Sequence, residues 1–450
     1  MKNARLLIVG VLGAVLAFAP MTGATGAQRG LSRNDLALLN GVIQLVERDY
    51  VHKADAHRLT LEALKGMMSR LDPHSDYMDE EEFKQSRANI TGKFGGLGIV
   101  ITEDHGVPKV ISPIEGTPAA KAGLEPGDLI IAIGREPTRG LGLNKIVRTL
   151  RGKPGSKVTI TILRGTEKRF DVTIVRSIIS VQTVKSKLEP NNVGYVRITE
   201  FGGTTPRDFK KAIETMKQKA GGRLNGLVLD LRNDPGGLLA AAVSVAGNFL
   251  DDGTVVSIRG RNKVDDETYK ATKNGALLPE STPIVVLING ASASASEIVA
   301  GALQDRKRAT IMGTQSFGKG SVQTIIPLNG HGALRMTTAL YYTPSGRSIQ
   351  GRGITPDIVV EAAKDIQVAG VLARESSLHG AFTNPGSLNG GPTSKDDGKG
   401  DAESKADLSP PIKPQDIATD KDNQLKAALA FIDKKAGITA SGSIGAPAKN

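Results

Sequence analysis

The chain has no cysteine and no tryptophan, and aromatic residues fill only 4% of its 450 positions. Disulfides, thiolate nucleophiles and cysteine-based zinc sites are therefore excluded. The missing cysteine leaves the compartment open, because an exported protein can do without disulfides. Histidine is scarce too, with six in all: His52, His57, His74, His105, His331 and His379. Only His331 falls in the stretch that looks catalytic. It sits in a Gly-rich turn, Asn329-Gly-His-Gly332, where a plain turn residue is the simpler reading. A Ser–His–Asp triad is poorly supported, and no metal or cofactor is implied. The formal net charge of +12 could mark a nucleic-acid or anionic-membrane binder. Lys and Arg are instead dispersed, with no basic stripe interleaved with aromatics and no zinc-finger or RNA-recognition signature. A solvated basic surface with no nucleic-acid partner is expected.

Long apolar runs are also lacking, except at the N-terminus. There Lys2 and Arg5 precede the run Leu6 to Ala19, and Thr25, Gly26 and Ala27 follow. This order is that of a secretory signal. The run is shorter than the ~20 residues that span a bilayer as a helix. Cleavage after Ala27 is expected, with Ala24 as the alternative. An uncleaved segment would leave at most an N-terminal or peripheral membrane association. Either way the body is exported, with a periplasmic location expected, away from cytoplasmic ATP.

The remaining sequence divides by pattern. Residues 28–90 read as an N-terminal helical region, with Leu36, Leu39, Ile43 and Val46 at helical spacing and a second stripe from Leu61 to Leu71. Asp72-Pro73 ends that stripe, since the residue before Pro disfavours the helical region. Residues 91–176 form a β-rich module with one longer helix, Leu143 to Leu150. Residues 177–374 alternate strands and helices, which implies a mixed α/β core. Residues 375–420 are crowded with Gly, Ser, Pro, Asp and Lys and read as a disordered linker. Residues 421–450 hold a short amphipathic helix and a tail, with Leu425, Leu429 and Ile432 on one face.

Three segments in the α/β region carry chemistry. Asn289-Gly-Ala-Ser-Ala-Ser-Ala-Ser-Glu297 follows an apolar strand and opens a helix. Small residues there allow a sharp turn that exposes a hydroxyl near a helix N-terminus; a Ser-rich helix cap fits the same residues. A serine nucleophile needs a base. The remaining candidate is Lys319, in Phe317-Gly-Lys-Gly-Ser-Val-Gln323. Holding a lysine neutral at pH 7 costs roughly 4.6 kcal/mol, and apolar burial lowers a lysine pKa by up to ~3–5 units. Gln323 can accept a hydrogen bond from the amine without adding charge. The third segment is Leu229-Asp-Leu-Arg-Asn-Asp-Pro-Gly-Gly237, where the N–H groups of Gly236 or Gly237 can supply half an oxyanion hole. Gly313-x-x-x-x-Gly318-Lys319 also matches most of a phosphate-binding loop. Gly320 stands where that loop needs Ser or Thr, and a strand-like segment follows where it needs a helix.

Together the three segments resemble the C-terminal processing peptidases, also called tail-specific proteases. The likeness covers most of the chain, from the first helices to about residue 360, plus the C-terminal helix. It implies a crotonase-like peptidase core with Ser294 as nucleophile, Lys319 as base and Gln323 as the residue that orients it. The oxyanion donors would be the backbone of Ala295 and one glycine of Gly236-Gly237. Pro235, which precedes that pair, has no N–H to offer. Phe94-Gly-Gly-Leu-Gly-Ile99 resembles the carboxylate-binding loop of the family's PDZ domain, inserted before the core. Gly95, Gly96, Leu97, Gly98 and Ile99 would then receive a protein C-terminus as an added strand. Leu97, Ile99, Ile146 and Leu150 would line the pocket for its last apolar side chain. Arg151, just after the pocket helix, is a candidate to couple tail binding to the core. The resemblance implies a serine endopeptidase acting on proteins bound by their C-termini. Self-assembly through the N-terminal stripe and the helix Asn423 to Lys434 is expected, with an activating adaptor as a further partner. A catalytically silent PDZ scaffold is the rival reading, and nucleotide binding the remoter one.

Overall fold

The computed structural model describes residues 30–91, 93–104, 106–114, 116–165, 168–180, 182–368, 374–385 and 409–438. The expected export signal lies outside them. Two compact units are present, Met1–Ala63 and Leu64–Asn450.

In the first unit the helix Arg33–Asp49 begins at Ser32, whose hydroxyl accepts from Asp35 N while the Asp35 carboxylate accepts from Ser32 N. This reciprocal pairing satisfies helix donors that would otherwise face water alone. Leu36, Leu39, Val42 and Leu45 on this helix are each about half exposed, at 54%, 48%, 49% and 51%. A second helix, Ala56–Ser69, follows.

The second unit is built on a six-stranded sheet. Its order is Val184–Glu189, Val193–Ile198, Gly226–Asp230, Ile284–Ile288, Thr310–Gly313 and Ile358–Val359. The first strand is antiparallel to its neighbour and the rest run parallel. Strands 193–198, 226–230 and 284–288 are buried throughout, which explains their unbroken apolar runs. Alternate residues serve opposite faces. Val196, Ile198, Leu227, Leu229, Val286 and Ile288 join a core with the helices Thr205–Lys219, Leu239–Gly247 and Ala295–Asp305. Tyr195, Val228, Val285 and Leu287 pack instead with Leu425, Ala428 and Ile432 of the helix Asn423–Lys435. That apolar stripe, expected from the sequence to promote self-assembly, is thus spent inside its own subunit.

An antiparallel sheet stands beside this core: Asp76–Met78, Ala333–Tyr342, Thr254–Gly260 and Glu267–Lys270, with Ser321–Pro327 also paired to Ala333–Tyr342. The β-rich module forms its own sheet, in the order Ile99–Asp104, Val107–Pro113, Leu129–Ile133, Lys157–Arg164 and Lys168–Val175. Its entry and exit chains, Lys93–Gly96 and Ser177–Ser180, pair as an antiparallel ribbon. The module boundary therefore extends past residue 176.

The disordered linker expected over 375–420 needs correction at both ends. Glu375 is fully buried, Asn384 bonds the carbonyls of Ser348 and Gln350, and Ile412 and Ile417 are core residues. Polar composition hid these segments because side chains anchor them, with no periodic apolar pattern. Residues 386–408 lie outside the described set.

Candidate active site

The strand Ile284–Ile288 runs into the turn 289–294 and then the helix Ala295–Asp305. Ser294 sits at the junction with φ 54° and ψ −111°. A non-glycine residue in such backbone costs on the order of 1–3 kcal/mol and persists only when its surroundings hold it. Two features do so. The Ser294 N–H donates to Glu297 Oε2 at 2.8 Å. Gly236 lies flat against the turn, where a Cβ would come within 2.6 Å of Ala293 O and 2.8 Å of Ala295 N. The result is a serine lifted out of its helix toward a cleft of about 920 Å³.

Lys319 lines the same cleft, as do Gln323, Gly237 and Tyr341. Its loop is fixed from two sides. In front, Glu297 accepts from Lys319 N at 2.9 Å through Oε2, and from Gly318 N at 2.7 Å and Ser316 Oγ at 2.5 Å through Oε1. One carboxylate oxygen therefore bonds the backbone N–H of both Ser294 and Lys319. Behind, a Cβ on Gly320 would meet Gln350 N at 2.5 Å, and Gly318 is wedged against residues 351–353. Of the two glycines that bracket the lysine, Gly320 lies where the chain passes too close for a side chain, and Gly318 takes a φ of +98° that disfavours one. Burial pushes the Lys319 amine below its ordinary value; Glu375, Glu297 and Asp72 oppose this and Arg335 reinforces it. Glu297 is fully buried, and that burial lifts its carboxyl to about 7 despite its hydrogen bonds.

Gln323 also reaches the cleft, where its Nε2 donates to Ser321 Oγ at 2.9 Å and Thr337 Oγ1 at 3.3 Å. Tyr341 stands beside the Ser294 side chain, and burial raises its phenol. The two glycines of the third segment differ. Gly236 donates its N–H to Asp234 Oδ1 at 2.8 Å. Phe201 N bonds Gly236 O and Leu238 N bonds Phe201 O, so Gly237 sits between in a parallel bridge. In that geometry the N–H of the middle residue turns to the opposite side. Among the described residues it has no hydrogen-bond acceptor, nor does Ala295 N.

Asp230 and Arg232 form a structural ion pair. Arg232 is wholly buried and is held by Asp230 at 2.6 Å and by Asp422 at 2.7 Å. The phosphate-loop reading of Gly313–Lys319 fails, because the chain leaves Lys319 as the strand Ser321–Pro327. No helix N-terminus stands there to receive a phosphate.

In the PDZ-like module Leu97, Ile146 and Leu150 share one buried cluster, with Ile99 packed against it. The strand Ile99–Asp104 is at the sheet edge, with no strand paired to its outer side among the described residues. Gly95 and Gly96 belong to the entry ribbon, paired with Ile178 and Ser177. The turn proper is thus Leu97-Gly98, narrower than the expected loop. Gly98 has φ +79°, and its absent Cβ would overlap Thr117. The Arg151 guanidinium stacks 4.1 Å over the Phe94 ring.

These features define a peptidase fold with an inserted peptide-binding module, and comparison with known proteins agrees. Residues 192–360 match the model of peptidase family S41, residues 109–164 a PDZ domain, and residues 20–82 the activating protease CtpB N-terminal domain. The chain is 52% identical over 349 residues to a carboxy-terminal-processing protease of Bartonella bacilliformis, covering 77% of this chain and 80% of that one. It is 34% identical to the carboxy-terminal processing protease CtpA of Bacillus subtilis, covering 80% and 78%. A solved photosystem II D1 C-terminal processing protease shares 28% identity, with 74% and 94% covered and a TM-score of 0.44. The chain belongs to the carboxy-terminal processing proteases of family S41.

Glu297, Tyr341, Gln350 and Glu375 were not singled out from the sequence. For Glu297 a signal existed: it stands three residues after Ser294 at a helix start, the spacing of a capping box. The others reach the site only through the tertiary fold.

Proposed function

We propose that this peptidase is a serine endopeptidase that uses Ser294 as nucleophile and Lys319 as general base. The PDZ domain takes hold of a protein C-terminus, which adds as a strand beside Ile99–Asp104 and seats its last side chain near Leu97, Ile146 and Leu150. The observation that carries the reading is Glu297 Oε2, which ties Ser294 N to Lys319 N and so sets nucleophile and base on one frame. The neutral Lys319 amine takes the Ser294 proton, and Ser294 Oγ attacks the peptide carbonyl. Ala295 N–H and Gly237 N–H receive the developing oxyanion. Gln323 orients the amine once substrate is engaged. The protonated lysine returns its proton to the leaving amine, and water then releases the acyl group.

The substrates are exported proteins, in keeping with the N-terminal signal pattern, and no metal or cofactor takes part. Self-assembly uses the half-exposed apolar stripe of the helix Arg33–Asp49; an activating adaptor is the alternative occupant. Deleting residues 30–55 and finding native mass and activity unchanged would remove both.

The test is cleavage of a loosely folded reporter with an apolar C-terminus. Wild type cuts, while Ser294→Ala and Lys319→Ala are inert yet folded and still bind the tail. A Lys319→Ala enzyme that cuts well would place the base elsewhere.

A further inference from the structure

Linked to the Lys319 loop is a polar cluster that the mechanism above does not use. Glu375 has no exposed surface, and its carboxylate receives His74 Nε2 at 3.0 Å on Oε1 and 2.9 Å on Oε2. Gln350, also fully buried, donates from Nε2 to Glu375 Oε1 at 3.0 Å. The other end of that same amide, Oε1, accepts from Gly320 N at 2.9 Å. Glu375 N bonds Phe317 O at 3.3 Å. Glu375 is thus linked to the backbone on both sides of Lys319, by its own N–H to the residue two before it and by its carboxylate, through Gln350, to the residue after it. A fully buried carboxylate is costly unless it is paired and hydrogen-bonded, as Glu375 is by the partly buried His74 and by Gln350.

We propose that the His74–Glu375 pair is a positioning element for the base Lys319, acting on it through Gln350 and Gly320 and through the charge of the carboxylate. The inference rests on the Ser–Lys reading. Its positional arm is the relay to Gly320, which fixes the backbone from which the lysine stem projects. Its electrostatic arm follows from sign. An anion facing the amine favours the ammonium form and works against a general base. The Nε2–H of His74, pointed into the carboxylate, offsets part of that negative potential. Among the charged groups that act on the lysine, Glu375 is the largest influence toward the ammonium form, with Glu297 from the helix and Asp72 from the loop before His74 acting likewise. Arg335, on the neighbouring strand, acts in the opposite sense. Asp72 is itself saturated by His74 N, Ser75 N, Ser75 Oγ and Thr337 Oγ1, which leaves the His74–Glu375 pair as the adjustable member.

The test is the pH profile of kcat/KM on the tail-bearing reporter with the full chain, the folded state of each variant being checked by thermal melting. Glu375→Gln keeps the shape and removes the charge. Its acid limb, which reports deprotonation of the lysine, is expected about one unit lower in pH than wild type. His74→Leu removes the offsetting donor, and its limb is expected to move the other way, to higher pH. Gln350→Ala cuts the relay, with kcat expected to fall roughly tenfold while KM holds. A merely structural role would lower activity without moving either limb. If the limb stays in place in whichever of Glu375→Gln and His74→Leu folds, the inference is overturned. Lys319→Ala separates the two levels. If it is inert while the limbs stay put, only this inference fails; if it is active, the Ser–Lys reading fails with it.

Discussion

The peptidase core and the PDZ domain hold their working residues by different means. In the core, buried ionisable groups pin the loops: Glu297 binds four donors, Asp234 holds the Gly236 turn, and Arg232 is clamped between Asp230 and Asp422. In the PDZ domain the corresponding residues rest in an apolar cluster of Leu, Ile and Val. Among its described residues the one buried charge is Asp128, which pairs with Arg164. Hydrogen bonds to charge fix direction as well as distance, whereas apolar packing fixes volume and tolerates adjustment. A reaction that needs sub-ångström placement is thus built on the first, and recognition of varied tails on the second.

The comparison is broken most severely by removing a buried charge. Asp422→Ala leaves Arg232 half-paired in a site with no exposure, at an expected cost of about 3–5 kcal/mol in denaturant unfolding. The exposed PDZ pair Lys145–Glu136, at 3.3 Å, should lose at most about 1 kcal/mol on Glu136→Ala. Equal costs would show that charge anchoring does not distinguish the regions. Gly236→Ala comes next. Its Cβ would collide with the backbone of Ala293 and Ala295 at the φ of +100° that the turn requires. kcat is expected to fall on the order of 10²–10³-fold as the proposed oxyanion donors shift. Gly98→Ala, equally crowded against Thr117, should raise KM for the tail and leave kcat alone.

A pH titration sharpens the same contrast. Glu297 is raised to about 7 in the folded protein, from an unfolded value near 4.3. A raised carboxyl stabilises the fold while protonated, and that stability is present below the unfolded value. It is lost as pH climbs through about 7. Measured against Glu297→Gln, wild-type stability should fall by ~3 kcal/mol between pH 4 and pH 8. A flat difference would mean that the hydrogen bonds to Glu297 cancel the effect of its burial.

What could be read from the sequence follows the same division. The Ser-rich turn, Lys319 and the Gly236-Gly237 turn stood out because their small neighbours are written in adjacent letters. The choice of Ser294 within that turn, and of Leu97, Ile146 and Leu150 as pocket residues, came from the family resemblance. The anchors were not legible. Glu297 to Gly318, Arg232 to Asp422 and Glu375 to His74 join residues 21, 190 and 301 apart, and nothing local marks one glutamate as buried. The strand Asp76–Met78 escaped for another reason: three residues carry no periodicity, and pairing with Ala333–Arg335 makes it a strand. Segments 374–385 and 409–420 look like linker by composition, yet they are fixed by side chains such as Asn384 and Asn233, whose Oδ1 accepts from Ile412 N.

The mildest perturbation tests whether the PDZ pocket is as adaptable as its apolar packing implies. Ile146 is 2% exposed and shares its cluster with Leu97 and Leu150. Ile146→Val removes one methylene and creates no unpaired polar group. The domain should lose about 0.5–1.5 kcal/mol. Tail affinity should change by less than tenfold, because a hydrophobic pocket discriminates a methylene only weakly. The direction depends on the tail: a bulkier terminal side chain should bind the variant better and a smaller one worse. kcat at saturating reporter should not change, since no hydrogen-bonded anchor of the core is touched. A fall in kcat would mean that pocket packing is transmitted to Ser294 and Lys319. The route to examine would then begin at Arg151, which follows the pocket helix and stacks on Phe94 in the ribbon that joins the PDZ domain to the core.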